Sequence, residues 1–201
     1  RSRQRKVFSL HTRTVLTTTA ILIAAGAAMI FLLERGGQLS ALSVRDRILA
    51  SVFQSITART AGFNTLDIGA LTVDTLFILI ILMFVGASPG SCGGGIKTTS
   101  LAVLVAILND RIRGRHSASI FKRTIPDETV SKALSIFILA VIVLTIGLIA
   151  LLMTQSAPPR ETFLTYLFET VSAFGTVGLS MGVTPSLNVI GKLIIIVIML
   201  L

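Results

Sequence analysis

The most conspicuous shortage in the sequence is charge. Only 13% of the 201 residues are Asp, Glu, Lys or Arg, whereas 53% are hydrophobic and the mean hydropathy is +0.89. A soluble globular domain carries roughly 25% charged residues. The composition therefore excludes an ordinary soluble domain and indicates a membrane protein. Charge is entirely absent from residues 14–33, 75–96 and 133–159, and each stretch has the roughly 20 residues that a membrane span needs.

Cysteine and catalytic side chains are also scarce. Cys92 is the single cysteine, so an intrachain disulfide is excluded. No grouping of His, Cys, Asp and Glu is typical of a metalloenzyme, and no Ser–His pairing indicates a hydrolase. We therefore expect neither an enzyme nor a bound cofactor. The first apolar stretch is too long for a signal peptide and lacks a cleavage site, and the chain ends inside an apolar run, which predicts that it is part of a longer polypeptide.

The charged residues that are present are mainly basic, with a net charge of +9. They form two clusters, within residues 1–13 and 111–132, and each cluster lies beside an apolar stretch. The positive-inside rule predicts that both face the cytoplasm, as expected for a multi-pass protein of the plasma membrane. Nucleic-acid binding is disfavoured for the same reason, because each cluster abuts a span. The loop 109–125 is also a candidate docking surface for a cytosolic partner.

The order of apolar segments occurs twice along the chain. A long span is followed by a short apolar stretch, a glycine-containing segment and a further span. The stretch "VFQSITAR-TAGFN" (52–64) aligns with "LFETVSAFGTVGLS" (167–180) with one gap, which pairs Gly62 with Gly178. Copies in the same direction predict parallel repeats about an axis along the membrane normal. We expect one repeat over 1–108, a basic cytoplasmic loop over 109–128, and a second repeat, truncated in its last helix, over 129–201.

The short apolar stretches are informative because they cannot cross a bilayer. Each must lie on the surface or dip into the membrane and return, and non-helical backbone is tolerated there only inside protein or beside water. The segments "TAGFN" (60–64) and "TVGLS" (176–180) follow them. A glycine at the end of a short helix is typical of a selectivity filter, where carbonyl oxygens replace the hydration shell of a cation. Glycine-marked turns between helices are the alternative, which two aligned copies disfavour.

Three motifs, "TARTAGFNTLD", "SAFGTVGLSMG" and "GASPGSCGGGIKTT", closely resemble the Trk/Ktr/HKT superfamily of potassium transporters, most nearly the bacterial Ktr-type membrane subunit. The resemblance covers essentially the whole chain. It implies an all-α membrane protein that carries the third and fourth of four M1–pore helix–M2 repeats around a potassium-channel-like pore. It also implies a homodimer with one pore per protomer and a cytosolic nucleotide-binding (RCK-type) regulatory subunit.

The resemblance assigns roles to individual residues. Gly62 and Gly178 match the filter glycine of each repeat, and potassium would be held by backbone carbonyls of the neighbouring residues. "TAGFN" lacks the second glycine of the "TVGYG" found in tetrameric potassium channels, and Leu179 and Ser180 replace its tyrosine and second glycine. This leaves strict selectivity for potassium over sodium, and sodium coupling, open. The expected filter comprises Thr60, Ala61, Gly62, Phe63, Asn64, Thr176, Val177, Gly178, Leu179 and Ser180, with potassium on the carbonyls of Thr60, Ala61, Gly62, Thr176, Val177 and Gly178.

The segment "GASPGSCGGGIKTT" (86–99) interrupts an apolar run. A Walker loop requires lysine directly after its glycine, but Ile96 stands between Gly95 and Lys97. A passive kink is a second reading. The glycines, however, each cost roughly 1 kcal/mol of helix propensity and should break the helix. In the family this position is an intramembrane gate beneath the filter, with Cys92 where many members have Thr. The expected gating loop comprises Gly86, Ser88, Pro89, Gly90, Ser91, Cys92, Gly93, Gly94, Gly95 and Lys97.

The sequence thus predicts potassium uptake through a carbonyl filter gated by a Gly/Ser-rich loop. A secondary transporter with a discontinuous helix is the main alternative, in which residues 86–99 would bind a cation or small solute. A membrane ATPase subunit would require Lys97 to bind ATP. Two side-chain questions stay open: Lys97 either snorkels to the cytoplasmic side or caps loop carbonyls, and Asp67 and Asp74 either attract cations or cap helix starts.

Overall fold

The computed structural model describes residues 9–91, 93–114, 119–121, 123–154 and 162–200, and within them the chain is almost entirely helical. Two two-residue strands, β1 (Ser119–Ile120) and β2 (Arg123–Thr124), form an antiparallel hairpin. Four short 3-10 turns connect the remaining elements. The helices are α1 (Leu10–Leu33), α2 (Val44–Thr57), α3 (Val73–Phe84), α4 (Thr98–Ile112), α5 (Asp127–Thr154), α6 (Thr162–Phe174) and α7 (Val189–Leu200).

Helices α1 and α5 are the only described helices long and apolar enough to cross a bilayer. With its following turn, α1 extends over 27 residues with a mean hydropathy of 2.2, and α5 over 28 residues with 3.2. The most apolar windows of these helices are only 11% and 17% buried. A helix from the core of a soluble protein would be mostly buried, so the apolar side chains that α1 and α5 leave uncovered favour a lipid or protein environment.

Local sequence explains where the shorter helices begin. The Ser43 hydroxyl accepts a hydrogen bond from the Asp46 N–H at 3.2 Å and caps α2. Thr72 caps α3 in the same way, through the Thr75 N–H. Such caps satisfy backbone N–H groups that the first turn of a helix leaves without partners. At 14 and 13 residues, α2 and α6 reach only about 20 Å, too short for a hydrocarbon core of about 30 Å.

The helices pack in two groups with related contacts. Helix α1 packs on α2 and α3, and α5 packs on α6 and α7. A glycine in the middle of each long helix permits the closest approach: a Cβ on Gly26 would lie 2.5 Å from Ser55 Oγ, and one on Gly147 would lie 2.6 Å from Ile198 Cδ1. The groups join where α3 packs on α6 and α4 on α1 and α5. The largest cluster of buried side chains, with Leu79 and Phe168 fully buried, lies where α3 meets α6.

The third apolar stretch of the sequence is two helices rather than one. α3 ends at Phe84 and α4 begins at Thr98, so the break lies where the glycines predict it. α4 continues to Ile112, past residue 108, and α5 begins at Asp127, before residue 129. The hairpin between them is joined to α4 because the Asp110 carboxylate accepts bonds from Ser119 N–H at 2.7 Å and Ser119 Oγ at 2.9 Å.

Candidate functional site

The two glycine-containing segments leave the ends of α2 and α6 with unusual backbone conformations. Gly62 and Gly178 have φ of +75° and +89°, and Thr60 and Thr176 have φ of +74° and +50°. For a threonine, whose Cβ is branched, this left-handed region is strained. The same two positions therefore carry the same strain in both segments. Such strain persists only where the surrounding structure enforces it, and it is frequent at ligand sites.

The two segments touch each other through backbone. A Cβ on Gly62 would lie 2.5 Å from the Val177 carbonyl oxygen, and a Cβ on Gly178 would lie 3.6 Å from the Gly62 Cα. Glycine at position 62 is thus required by its φ and also by this contact. The structure therefore brings together the two filter glycines predicted from sequence, which are 116 residues apart by their numbers in the chain.

Hydroxyl groups from α2 and α6 hold both segments at equivalent positions. Thr57 Oγ1 donates to the Phe63 carbonyl, and Ser172 Oγ donates to the Leu179 carbonyl at 2.6 Å. Backbone N–H groups also turn back to the helix ends: Gly62 N–H donates to Thr57 and Val177 N–H to Ser172, at 3.4 and 2.9 Å. Both segments are therefore fixed on the side that faces their own helix.

The carbonyl oxygens of the first three residues in each segment take no part in these hydrogen bonds. Across the described ranges, no hydrogen bond outside the helices and strands ends on any of these six oxygens. Carbonyl groups without a protein donor need another partner, and a cation is one such partner. The six oxygens belong to Thr60, Ala61, Gly62, Thr176, Val177 and Gly178.

The two segments differ in how their side chains are covered. Val177 and Leu179 are each 3% exposed and belong to the largest core cluster, whereas Phe63, which aligns with Leu179, is 72% exposed. Asn64 and Ser180 are also exposed. The second segment is thus embedded in this chain, while the first leaves a large aromatic side chain uncovered.

The glycine-rich break between α3 and α4 lies directly against the beginning of both segments. A Cβ on Gly93 would lie 2.8 Å from Thr60 Cγ2, and one on Gly94 would lie 2.5 Å from the Phe174 carbonyl oxygen. Gly94 N–H donates to Thr176 Oγ1 at 2.7 Å, and Gly95 N–H donates to the Phe174 carbonyl at 3.2 Å. The loop is therefore hydrogen-bonded to one segment and packed against the other.

The two ends of the loop lie side by side. A Cβ on Gly86 would lie 2.0 Å from the Gly94 carbonyl oxygen, and Ile96 N–H donates to the Phe84 carbonyl at 3.1 Å. Gly90 and Gly95 have φ of +87° and +70°, which only glycine adopts readily. The residues expected to form the gating loop thus form one closed loop, except that Cys92 lies outside the described residues.

Lys97, at the end of this loop, caps it. Its ammonium donates to the Gly93 carbonyl and, at 3.4 Å, to the Ser91 carbonyl. Of the two orientations left open by the sequence, the structure adopts the capping one. The loop also follows a helix, α3, whereas a Walker loop must follow a strand. This placement disfavours a phosphate-binding loop.

Of the two acidic residues beyond the first segment, Asp67 acts as a structural cap. Asp67 Oδ1 accepts from Gly69 N–H at 3.1 Å, whereas Asp74 lies exposed in the first turn of α3, whose cap is Thr72. Glu34 was not singled out by the sequence reasoning, yet it is fully buried and its carboxylate accepts bonds from Thr72 N–H and Thr72 Oγ1, both at 2.8 Å. Glu34 thus connects the end of α1 to the start of α3.

Glu169 was also missed, although a signal was available. It is a single acidic residue inside the short apolar helix α6, and an ionisable residue at membrane depth is costly and usually functional. It is 5% exposed and accepts hydrogen bonds from Ser180, the last residue of the second segment, and from Met181 after it. Thr57 and Ser172 could likewise have been found, because the alignment pairs their hydroxyls.

The chain matches the protein-family model described as "TrkH: Cation transport protein" over residues 3–201. The chain belongs to the TrkH family. This confirms the resemblance inferred from the three motifs, and it identifies a family of membrane cation transporters rather than of enzymes.

Curated relatives of this TrkH-family chain include the Ktr system potassium uptake protein B of Bacillus subtilis, 43% identical over 99% of this chain and 44% of that protein. The potassium/sodium uptake protein NtpJ of Enterococcus hirae is 35% identical over 96% of this chain and 43% of that protein. The crystal structure of the potassium transporter TrkH from Vibrio parahaemolyticus aligns with a TM-score of 0.72 and 21% identity.

That crystal structure is matched over 96% of this TrkH-family chain and 41% of its own. The likeness confirms the all-α membrane fold. The chain also spans less than half the length of the curated relatives it matches.

Proposed function

We propose that this chain forms the third and fourth pore repeats of a four-repeat potassium uptake protein of the plasma membrane. In this proposal the segments 60–64 and 176–180 contribute half of a carbonyl filter. The observation that carries it is the set of six carbonyl oxygens that accept no hydrogen bond from the described residues, on two glycine segments in direct backbone contact. Each segment follows the C-terminus of a short helix, whose partial negative charge favours a cation. The names of the curated relatives support potassium as the ion.

The incomplete surroundings of the first segment support a larger pore. Phe63 is largely exposed, whereas its counterpart Leu179 is buried. A pore of four repeats would have two further segments, which would complete the ring and cover this side chain. The share of the relatives that the chain covers is consistent with two repeats of four.

We further propose that the loop of residues 86–97 is the gate. It is bonded to the start of the second segment and packed on Thr60 of the first. A cation leaving the filter at this end would meet the loop. Glycine and serine make such a loop easy to displace, because little side-chain packing has to be broken. The basic clusters would then lie on the cytoplasmic side, as the positive-inside rule predicts.

A solute site in the discontinuous helix is disfavoured by Lys97. In a transporter of that kind, unwound carbonyls of the break coordinate the coupling ion. Here the lysine ammonium occupies the carbonyls of Ser91 and Gly93. The lysine ammonium therefore already occupies the carbonyls that would coordinate a coupling ion, which favours a gate over a substrate site.

The family resemblance adds partners to the proposal. We infer a homodimer in the lipid bilayer, each protomer with its own pore, and a cytosolic nucleotide-binding (RCK-type) regulatory subunit, with the loop 109–125 as a candidate docking surface. Sodium dependence is consistent with the potassium/sodium name of the Enterococcus relative.

The test is rubidium and sodium uptake by the full-length protein in cells that lack other potassium uptake systems. Gly178→Ser has room for its side chain, because a Cβ there meets only the Gly62 Cα at 3.6 Å. Its positive φ, however, costs roughly 1–2 kcal/mol for a residue with a Cβ. We expect a folded protein whose sodium-to-rubidium ratio rises severalfold.

Gly114→Ser is the matched control. Gly114 has a φ of +71° and no atom near a Cβ, but it lies at the end of α4, away from the filter. It carries the same backbone strain and should leave the uptake ratio unchanged. An unaltered ratio in Gly178→Ser, or an equal change in both variants, contradicts the filter assignment.

A further inference from the structure

Glu169 lies on α6 immediately behind the second filter segment, and neither the gate nor the filter carbonyls require it. Its side chain is buried at 5% exposure. Among the described residues, no basic side chain forms an ion pair with it. A buried carboxylate without a basic partner is costly unless hydrogen bonds satisfy it. Its partners therefore indicate what it does.

Both carboxylate oxygens accept bonds from the chain that leaves the filter. Oε1 accepts from Ser180 Oγ at 2.7 Å and Met181 N–H at 2.9 Å, and Oε2 accepts from Thr184 Oγ1 at 2.8 Å. Ser180 Oγ in turn accepts from Gly182 N–H at 2.9 Å. One side chain thus fixes three points within the five residues that follow Leu179.

The equivalent residue of the first repeat has no such role. The alignment of the two pore helices pairs Glu169 with Gln54, which is fully buried. Neither side-chain atom of Gln54 has a hydrogen-bond partner within the described residues. The chain that leaves the first segment is held from the 3-10 turn of residues 38–41 instead, because Gln38 bonds the backbone N–H and carbonyl of Asp67. The chain beyond each segment is therefore held by different means.

The second segment also has space into which it could move. A cavity of about 360 Å³ lies between Glu169, Gly178, Ser180 and Thr184 on one side and Ile195 and Met199 of α7 on the other. Packing holds Val177 and Leu179, whereas on the side of this cavity the carboxylate bonds Ser180 and Thr184. Hydrogen bonds to an ionised group are roughly twice as strong as those between neutral groups, so this carboxylate is well suited to hold it.

We propose that Glu169 is a positioning residue that sets the ion selectivity of the second filter segment by fixing its outer end. This rests on the proposed potassium-uptake function. Ser172 fixes the Leu179 carbonyl from the pore helix, and Glu169 fixes the chain directly beyond it. Together they determine the direction of the Gly178 and Leu179 carbonyls. Gln54 does not do this for the first segment, so the two equivalent positions differ in their effect on selectivity.

The experiment compares Glu169→Leu with Gln54→Leu in the full-length protein, by rubidium and sodium uptake. Glu169→Leu removes all three bonds and should raise the sodium-to-rubidium uptake ratio about tenfold, which corresponds to about 1.4 kcal/mol between the two barriers. Gln54→Leu removes a side chain of similar size at the matched position. We expect it to change the ratio by less than about twofold, or about 0.4 kcal/mol.

Glu169→Gln distinguishes positioning from loss of packing. Its amide oxygen can still accept from Ser180 and Met181, and its NH₂ can donate to Thr184 Oγ1, which has free lone pairs. We expect the ratio of Glu169→Gln to lie close to that of the unaltered protein. A wild-type ratio in Glu169→Leu, or an equal rise in Gln54→Leu, overturns the proposal.

Two further variants serve if Glu169→Leu does not reach the membrane. Ser180→Ala and Thr184→Val each remove one bond and should each raise the ratio by a smaller factor, and no rise in either would count against Glu169. Gly178→Ser keeps the two proposals separable. If Gly178→Ser alters the ratio and these variants do not, the positioning role fails and the filter stands; if Gly178→Ser has no effect, the filter itself fails.

Discussion

The gate can be tested with a single methyl group, because Gly94 touches the second filter segment so closely. In Gly94→Ala the new Cβ would lie 2.5 Å from the Phe174 carbonyl oxygen and 3.1 Å from Thr176 Cγ2. Ordinary contacts lie at about 3.5 Å, so the loop must withdraw from the segment by about 1 Å. The φ of Gly94 is not positive, so the methyl group acts through this contact and not through backbone strain.

The magnitude follows from the bonds that such a shift would break. Gly94 N–H to Thr176 Oγ1, at 2.7 Å, and Gly95 N–H to the Phe174 carbonyl, at 3.2 Å, both connect the loop to the segment. A net contribution of about 0.5–1.5 kcal/mol for each gives about 1–3 kcal/mol for the closed position. The ratio of open to closed loops should then rise by about 5- to 150-fold. We expect the maximal rate of uptake to rise at least severalfold, up to the limit set by a fully open loop.

Maximal rates of rubidium uptake, normalised to the amount of protein in the membrane, measure this effect. Gly36→Ala is the control, since a Cβ at Gly36 meets no atom within 4 Å and the residue lies away from the loop. It should leave the rate unchanged. An unchanged or lower rate in Gly94→Ala, at normal membrane levels, would refute the reasoning that the contact keeps the pathway closed.

Two further predictions concern Lys97 and Glu34. Lys97→Ala removes the ammonium that holds the Gly93 and Ser91 carbonyls, so the rate of rubidium uptake should rise severalfold. Equilibrium dialysis should detect no ATP binding in either the variant or the unaltered protein. If the unaltered protein binds ATP and the variant does not, the ATPase alternative is favoured. Glu34→Leu leaves partly buried donors of Thr72 and Gln38 without their acceptor, which costs about 0.5–1.5 kcal/mol for each lost hydrogen bond. The thermal unfolding midpoint of Glu34→Leu in detergent should fall by several degrees. Asp74→Ala, at an exposed position, is the control and should change the midpoint little. Equal midpoints for the two variants would show that Glu34 does not stabilise the fold.

Features that depend on local chemistry were predictable from the sequence. The glycines of residues 86–95 interrupt a helix wherever it packs, and the structure has its break there. The limits of the short helices follow from their length and from caps such as Ser43. The alignment of the two repeats assigned Gly62 and Gly178 to one predicted filter, and equivalent positions that lie near a shared axis also lie near each other. These predictions use only chain geometry and the cost of placing polar backbone in a membrane.

Features that depend on tertiary placement were not predictable. The sequence offered Lys97 two orientations, and only the position of the loop decides between them. Glu169 and Gln54 occupy matched positions with nearly the same shape, yet only Glu169 reaches its partners. The difference in burial between Phe63 and Leu179 is of the same kind. In each case the outcome depends on the three-dimensional placement of the chain, which local sequence does not determine.

The glycines in the middle of the long helices have a consequence for aperture size. Gly26 lets α2 pack closely on α1, since a Cβ there would lie 2.5 Å from Ser55 Oγ, and Gly147 lets α7 pack closely on α5, since a Cβ there would lie 2.6 Å from Ile198 Cδ1. In the proposed pore α2 carries the first filter segment at its end, and α7 lines the space beside the second. A hydrogen atom on each long helix therefore bears on how far from a central axis the carbonyl oxygens would lie. The calibre of that pathway would then be set partly by two side chains that are missing, well away from any ion.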